Sequence, residues 1–323
     1  MIEIPDLPTF DDVLVAAARI AAAVHRTPVH TCRTLDSMTG SRLFLKCENL
    51  QKVGAFKARG ACNAVLSLSD TEASHGVATH SSGNHAAALA FAAGLRGIPA
   101  HVVMPSNSRA VKKAAVTGYG ARVLECEPTL AARESMLAEV VRNTGAVFIH
   151  PYNDPRVMAG QGTAALELLA EAGPLDAILT PVGGGGLLSG TCLAAAGVSP
   201  GTAVWGTEPA GADDAFRSLQ QGRLVPSLDP RTIADGLRTS LGERTFAIIR
   251  QHVRGIVTVS EQSIVMAMRL VWERAKLIIE PSSAVPLAAL LERKLDLGGQ
   301  RVGIILSGGN VDLEELPWAT KTD

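Results

Sequence analysis

No Cys-x-x-Cys pair occurs in the 323 residues, and the five cysteines (Cys32, Cys47, Cys62, Cys126 and Cys192) are an odd number. Neither a disulfide framework nor a cysteine-based zinc site is therefore expected. Surplus positive charge is also missing: 30 Lys and Arg against 31 Asp and Glu leave a formal net charge of −1. Without extra Lys and Arg to neutralise phosphates, no nucleic-acid partner is expected. The opening residues MIEIPDLPTFDD lack a basic start followed by an apolar run, so no signal peptide is expected. The apolar stretch from Ala177 to Val198 is broken by four glycines and a proline. It reads as strand, loop and helix, not as a membrane span. A reducing cytoplasm is the expected location. Repeats of about 20–50 residues and low-complexity tracts are absent too.

What is present points to a packed α/β protein. Hydrophobic residues make up 47% of the chain, which with near-zero net charge excludes disorder. A chain of this length buries about 75% of its unfolded surface, enough for one large or two medium domains. Glycine is abundant, at 31 residues, which favours tight helix packing and sites lined by backbone. Helix and strand patterns alternate. The periodicity predicts a helix over 11–24, a strand over 42–47 and a helix over 54–68. From residue 76 the order is VATH, helix 84–94, HVVMP, helix 108–119, RVLECE, helix 129–143 and VFIH. A second series follows: helix 161–172, strand 177–182, helix 186–196, strand 203–208 and helix 212–221. Helices 261–277 and 283–293 and strand 301–306 close the pattern, and RLVPSLDPR (223–231) reads as a surface loop. Such short connections imply parallel sheets covered by helices. Two α/β units are expected, with the chain crossing between them and a ligand at strand C-terminal ends.

Three turns follow predicted strands: Ser81-Ser82-Gly83-Asn84-His85, Gly183-Gly184-Gly185-Gly186 and Ser307-Gly308-Gly309-Asn310. In the four-glycine turn, backbone N–H groups at a helix start could hold an anion. Its spacing does not match G-x-G-x-x-G, and no Gly-Lys-Ser/Thr follows. A phosphate monoester therefore suits it better than a nucleotide. The first turn offers Ser, Asn and N–H donors for a carboxylate, or simply caps its helix. Lys57 lies in the first turn of a predicted helix, just after Gly54. The helix dipole disfavours a cation there and helps depress its pKa, as a nucleophilic amine requires. Together these features describe a site for a phosphate-bearing aldehyde and an amino acid.

The segments LFLKCENLQKVGAFKARGACNAV, ATHSSGNHA, HPYNDPRVMAGQGT, PVGGGGLLSG, EPAGADD, TIADGLRTS, LVWERAKLIIEPSSAV and ILSGGNVDL resemble the serine racemase and serine–threonine dehydratase family. The resemblance covers nearly the whole chain and implies the pyridoxal-5′-phosphate fold type II, like tryptophan synthase β. That fold has two parallel-sheet α/β domains with the cofactor in the cleft between them. Residues 1–75 plus 153–323 would form the large domain and 76–152 a small mobile one. By resemblance, Lys57 condenses with the cofactor aldehyde and later acts as base, Phe56 packs near the ring and Asn84 bonds the ring oxygen. Gly183, Gly184, Gly185, Gly186 and the Leu187 N–H take the phosphate, and Ser307 faces the ring nitrogen. A hydroxyl draws less charge into the ring than a carboxylate would, which favours elimination over transamination. Ser82 would be a second catalytic group, facing Cα opposite the lysine as racemisation requires. Ser81, Ser82, Gly83, Asn84 and His85 cradle the substrate carboxylate, and Arg133 could pair with a second one. The resemblance also assigns Glu208, the Ala212 carbonyl and Asp214 to Mg²⁺, Mn²⁺ or Ca²⁺, a donor set that suits a hard cation. His75, His80 and His85 receive no metal role; His150 reads as structural, with Tyr152 near the cofactor.

Ala55, Val53, Ala86, Thr239 and Tyr152 depart from the commonest family pattern. The first expectation is a dehydratase (ammonia-lyase) for L-serine or L-threonine, with serine racemase as a side activity. A 3-hydroxyaspartate dehydratase is the alternative, favoured by the Gly-Ala-Phe-Lys and Asn-His-Ala runs. A β-replacement lyase fits the acidic EPAGADD segment less well. A non-catalytic amino-acid sensor is opposed by Lys57, Ser82 and Ser307. A homodimer is expected from the family, without a membrane partner. No C-terminal regulatory domain is expected, because the last motif lies close to Asp323.

Overall fold

The computed structural model describes residues 6–108 and 110–318. Met1 to Pro5 of the opening segment and position 109 within the expected helix 108–119 lie outside the described residues. The chain begins with α1 (Phe10–Ile20), β1 (Val29–His30), α2 (Arg33–Thr39), β2 (Arg42–Cys47), α3 (Lys57–Leu66) and α4 (Asp70–Ser74). Its middle contains β3 (Val77–His80), α5 (Asn84–Arg96), β4 (Ala100–Pro105), α6 (Ala110–Gly118), β5 (Arg122–Cys126), α7 (Leu130–Thr144) and β6 (Val147–Phe148). Then come α8 (Pro155–Ala172), β7 (Ala177–Pro181), α9 (Gly186–Val198), β8 (Ala203–Pro209) and α10 (Asp214–Gln221). The last elements are α11 (Glu243–His252), β9 (Gly255–Val259), α12 (Glu261–Leu270), α13 (Pro281–Leu291) and β10 (Arg301–Leu306).

The strands form two sheets. A six-stranded sheet has the order β1-β2-β10-β7-β8-β9 and a four-stranded sheet the order β5-β4-β3-β6. Every pairing is parallel except β1 with β2, which is antiparallel. That pairing departs from the expectation of parallel sheets throughout. Strand side chains alternate between faces. Leu43, Leu45, Leu179 and Ile304 join one core, and Phe44, Ile178 and Ile305 join the other. Helices cover both faces, so these strands read as continuous apolar runs. The small sheet divides likewise, with Val77, Val102 and Met104 on one side and Ala78 and Val103 on the other.

Several boundaries differ from the sequence expectation for identifiable reasons. The helix expected over 161–172 begins at Pro155, because Asp154 caps it and proline occupies its first turn. The helix expected over 54–68 begins only at Lys57, since Val53 and Gly54 have φ of +55° and +70°. The helix expected over 261–277 leaves α geometry after Leu270, passes through a π turn (Val271–Ala275) and stops at Lys276, with φ +60°.

A buried ionic junction holds the start of α3. Arg59 is fully buried and binds Glu48 through Nε (2.7 Å) and Nη2 (2.8 Å). It binds Glu167 of α8 through Nη1 and Nη2, both at 2.8 Å. Lys46, the one charged residue of β2 facing inward, meets Glu167 at 2.6 Å. Removing one member leaves an uncompensated charge in the interior. Glu48→Ala is expected to lower unfolding free energy by about 3–5 kcal/mol, read as a lower urea midpoint without a changed slope.

Candidate active site

The three turns singled out in the sequence follow β3, β7 and β10, and the first and third touch where Asn310 donates to Asn84. Lys57 opens α3 as its first residue. The two left-handed residues at 53 and 54 turn the chain so that Ala55 bridges Gly308 and the Phe56 N–H donates to the Ser307 carbonyl at 3.0 Å. This entry aims the Lys57 amine at the Pro151 carbonyl, to which Nζ donates at 2.7 Å. Its Nζ lies 5.1 Å from the centre of the Phe56 ring. Burial pulls the Lys57 pKa down to about 8. The expected direction is present, with desolvation as its cause.

The glycine turn is a donor-rich concavity. Gly185 has φ +87°, a left-handed conformation in which glycine is unstrained. The N–H groups of Gly183, Gly184 and Gly185 donate to no protein group among the described residues. Gly186 and Leu187 begin α9, where the first N–H groups have no intrahelical acceptor. A Cβ at Gly184 would collide with the Tyr152 ring, and one at Gly183 would stand 3.0 Å from the Gly236 carbonyl. The Thr245 hydroxyl holds the turn by donating to the Gly184 carbonyl at 2.9 Å. Free donors at a helix start, on residues that carry no side chain of their own, fit a phosphate group.

The Ser81–His85 turn leads into α5. A Cβ at Gly83 would meet nothing within 4 Å, so that side of the turn is open. Ser82 is half-buried and makes no hydrogen bond to a described residue. Ser81 Oγ accepts from the Gly83 N–H at 3.3 Å. His85 is buried, and its Nε2 donates to the Ile149 carbonyl at 3.2 Å. Burial first, then the Lys57 charge, drives its pKa well below the usual histidine range, so it is neutral. His150 is lowered to about 4, chiefly by burial, and its Nδ1 accepts from the Tyr152 (3.3 Å) and Asn153 (3.0 Å) N–H groups. That network orders the segment carrying Pro151 and Tyr152.

Asn84 joins the two sheet units. Its Nδ2 donates to both Glu280 oxygens at 3.1 Å and its Oδ1 accepts from Asn310 at 2.9 Å. Glu280 is the site residue the sequence reading missed. Its signal was a lone carboxylate in the apolar run LIIEPSSAV. Burial pushes its pKa up to about 7, although the Asn84 bonds pull the other way. Ser307 is buried, with its hydroxyl 3.1 Å from that of Ser283, which also donates to the Gly308 carbonyl at 2.6 Å.

Arg133 lies on α7, where its Nε donates to the Thr129 carbonyl at 3.4 Å. It makes no ion pair among the described residues. Its charge acts on His80 and Tyr152, as does that of the adjacent Glu134 with the opposite sign, so this turn of α7 lies near the segment carrying Tyr152. The acidic segment lies behind the glycine turn. Glu208, at the end of β8, is fully buried and accepts from the Ala215 (3.1 Å) and Phe216 (2.8 Å) N–H groups. Asp214 accepts from Leu241 at 3.2 Å through Oδ2, while its buried Oδ1 has no partner. Burial raises both pKa values, Asp214 to about 6, and the Asp214 charge raises Glu208 further. No group of three or more His, Cys, Asp or Glu able to hold a metal occurs among the described residues. Two adjacent carboxylates with an idle oxygen still suit a cation completed by a carbonyl and waters.

A buried amine of lowered pKa at a helix start and a strand–helix turn of glycines with unpaired N–H groups are the parts that a phosphate-anchored cofactor carrying an aldehyde would use. The chain belongs to the pyridoxal-phosphate dependent enzyme family, whose model matches residues 20–308. Beta-hydroxyaspartate dehydratase of Paracoccus denitrificans is 50% identical over 312 residues, covering 97% of this chain and 99% of that protein. L-threo-3-hydroxyaspartate ammonia-lyase of Saccharomyces cerevisiae is 48% identical over 309 residues, covering 95% of each. The crystal structure of serine racemase from Dictyostelium discoideum matches with TM-score 0.91 and 50% identity, covering 95% of this chain and 99% of that one. The fold is that of the type II pyridoxal phosphate enzymes.

Because the neutral amine is the nucleophile, the cofactor-free protein should capture an aldehyde faster as pH rises through about 8. Borohydride trapping with peptide mapping at several pH values checks this. A Lys57 rate that climbs only near pH 10 would contradict the lowered pKa.

Proposed function

We propose that this chain is a dehydratase that removes water from a β-hydroxy amino acid, yielding a keto acid and ammonia, with 3-hydroxyaspartate as the preferred substrate. The observation that carries the preference is Arg133, a cation near the segment carrying Tyr152 without an acidic partner among the described residues. Its guanidinium is free to pair bidentately with a second carboxylate. Two relatives named for hydroxyaspartate, at 50% and 48% identity, support the same substrate class. Dehydration of L-serine or L-threonine with some serine racemisation is the second reading. It is favoured by the unengaged Ser82 hydroxyl and the serine racemase likeness.

Pyridoxal phosphate, when bound, supplies an aldehyde and an electron-withdrawing ring that acidify the Cα–H of an amino acid. Lys57 would hold the aldehyde end. Gly183 to Gly186 and the Leu187 N–H would hold the phosphate, Phe56 the ring face, Asn84 the ring oxygen and Ser307 the ring nitrogen. Lys57 Nζ takes the Cα proton. Ser81, Gly83, Asn84 and His85 seat the α-carboxylate at the start of α5. Ser82 delivers a proton from the other face when racemisation occurs. The residues 76–152 act as the small, mobile domain that carries this turn and Arg133. Glu208, Asp214 and the Ala212 carbonyl would hold Mg²⁺, Mn²⁺ or Ca²⁺. Asp214 also accepts from the Leu241 N–H, and the Leu241 side chain lies 2.8 Å from where a Gly185 Cβ would stand, so these carboxylates support the glycine turn from behind. A homodimer in the cytoplasm fits the family and the five free, buried cysteines. No described helix is long and apolar enough to cross a membrane.

A keto-acid assay over the isomers of 3-hydroxyaspartate, serine and threonine tests the substrate. Arg133→Met should raise KM for 3-hydroxyaspartate by about 10- to 100-fold, the worth of a charge-assisted pair, while leaving serine turnover unchanged. An equal loss for both substrates removes the role given to Arg133. For the cation, EDTA should lower the melting temperature by about 4–8 °C and Mg²⁺ restore it. Asp214→Asn should abolish that response.

A further inference from the structure

The run Met158-Ala159-Gly160-Gln161-Gly162-Thr163 lies inside α8 and has no role in the site described above. Glycine is unfavourable in a helix interior, and here two occur within three residues. Each is explained by a neighbouring backbone. A Cβ at Gly160 would stand 2.6 Å from Gly60 Cα and 2.7 Å from the Arg59 carbonyl oxygen, both in α3. A Cβ at Gly162 would stand 2.7 Å from the Gly190 carbonyl oxygen, in α9. The contacts are reciprocal. A Cβ at Gly60 would meet the Val157 carbonyl at 2.7 Å, and one at Gly190 the Met158 carbonyl at 2.5 Å. Real Cβ atoms do not come this close, and these obstacles are main chain that no rotamer change can move. α3, α8 and α9 therefore touch backbone to backbone.

Polar bonds register the same crossing. Gln161 is fully buried, and its Oε1 accepts from the Gly60 N–H at 3.2 Å. Thr163 Oγ1 accepts from Arg59 Nη1 at 3.1 Å. The places of contact matter. Gly60 is one turn past Lys57 in α3, and Gly190 is one turn past Gly186 in α9. α8 thus grips each helix about 5 Å from its functional end. A helix is stiff over one turn, so a shift at either crossing moves the amine or the cradle with it.

We propose that Gly160-Gln161-Gly162 is a spacer that sets the separation between the Lys57 amine and the glycine cradle, so that both engage one cofactor molecule together. The proposal rests on the reading of Lys57 and Gly183–Gly186 given under the proposed function. These are positioning residues, acting through Lys57 and the cradle without touching the ligand. If they served packing alone, substitution would lower stability without regard to the ligand. A spacer discriminates between ligands. Pyridoxal 5′-phosphate needs both ends of the site, whereas pyridoxine 5′-phosphate has no aldehyde and needs only the cradle.

The test compares the affinities of the two ligands for cofactor-free full-length protein. Gly160→Ala forces α3 away from α8 and displaces Lys57. Affinity for pyridoxine 5′-phosphate should stay within about threefold, while pyridoxal 5′-phosphate binds about 10- to 100-fold more weakly, as a shift of about 1 Å at a reacting group predicts. Borohydride should then fix less cofactor on Lys57. Gln161→Leu, which adds no Cβ, should move the same ratio in the same direction, and it decides alone if Gly160→Ala does not fold. Leu35→Ala, in the core of α2, should lower the melting temperature and leave the ratio unchanged. Equal weakening of both ligands, or an unaltered ratio, overturns the spacer. If borohydride fixes the cofactor of the unsubstituted protein elsewhere than on Lys57, the underlying site reading fails and the spacer with it.

Discussion

Arg59 is the constraint on which the geometry of this protein turns. Its guanidinium is removed from water and meets two carboxylates, each in a two-bond arrangement. Such a group stabilises little compared with an apolar substitute, because desolvation opposes the attraction. Its value is directional. Glu48 follows β2, Glu167 belongs to α8, and Arg59 lies two residues beyond Lys57. The junction therefore ties the helix carrying the reactive amine to the central sheet and to the helix that spans the core. Lys46 extends it, donating to Glu167 and to the Thr27 carbonyl at 2.6 Å each.

Around that frame burial works against fixed charge. Burial lowers the bases His85, His150 and Lys57 and raises the acids Glu280, Glu208 and Asp214. A poorly polarisable interior favours the neutral form of each group unless a partner is supplied. A phosphate or carboxylate near these groups would meet glycine N–H groups without a partner among the described residues and a lysine amine of lowered pKa. Asn84, held between Glu280 and Asn310, couples the small sheet unit to the large one.

Most strands were legible because they are short apolar runs bounded by turn residues. The strand at 42–47 and that at 301–306 have the expected limits. The misses have physical origins. β1 has two residues, too few for a pattern, and β9 (GIVTV) is an edge strand in a region without clear periodicity. The α8 start was written in Asp154-Pro155, a cap followed by proline, although hydrophobic spacing alone placed it later. The early end of α12 depends on a π turn and a left-handed lysine, neither of which has a local sequence code.

Residue order alone was sufficient for the strand–turn–helix units, the glycine turn before α9 and the placement of Lys57 at a helix start. Those properties are local, set by turn chemistry and backbone sterics over a few residues. Proximity and burial were not local. Glu280 reaches Asn84 across 196 residues, and Lys57 reaches Pro151 across 94. Desolvation sums over neighbours brought together from distant parts of the chain. For that reason folding decided which groups are neutral, which carboxylates share a pocket and how closely three helices approach.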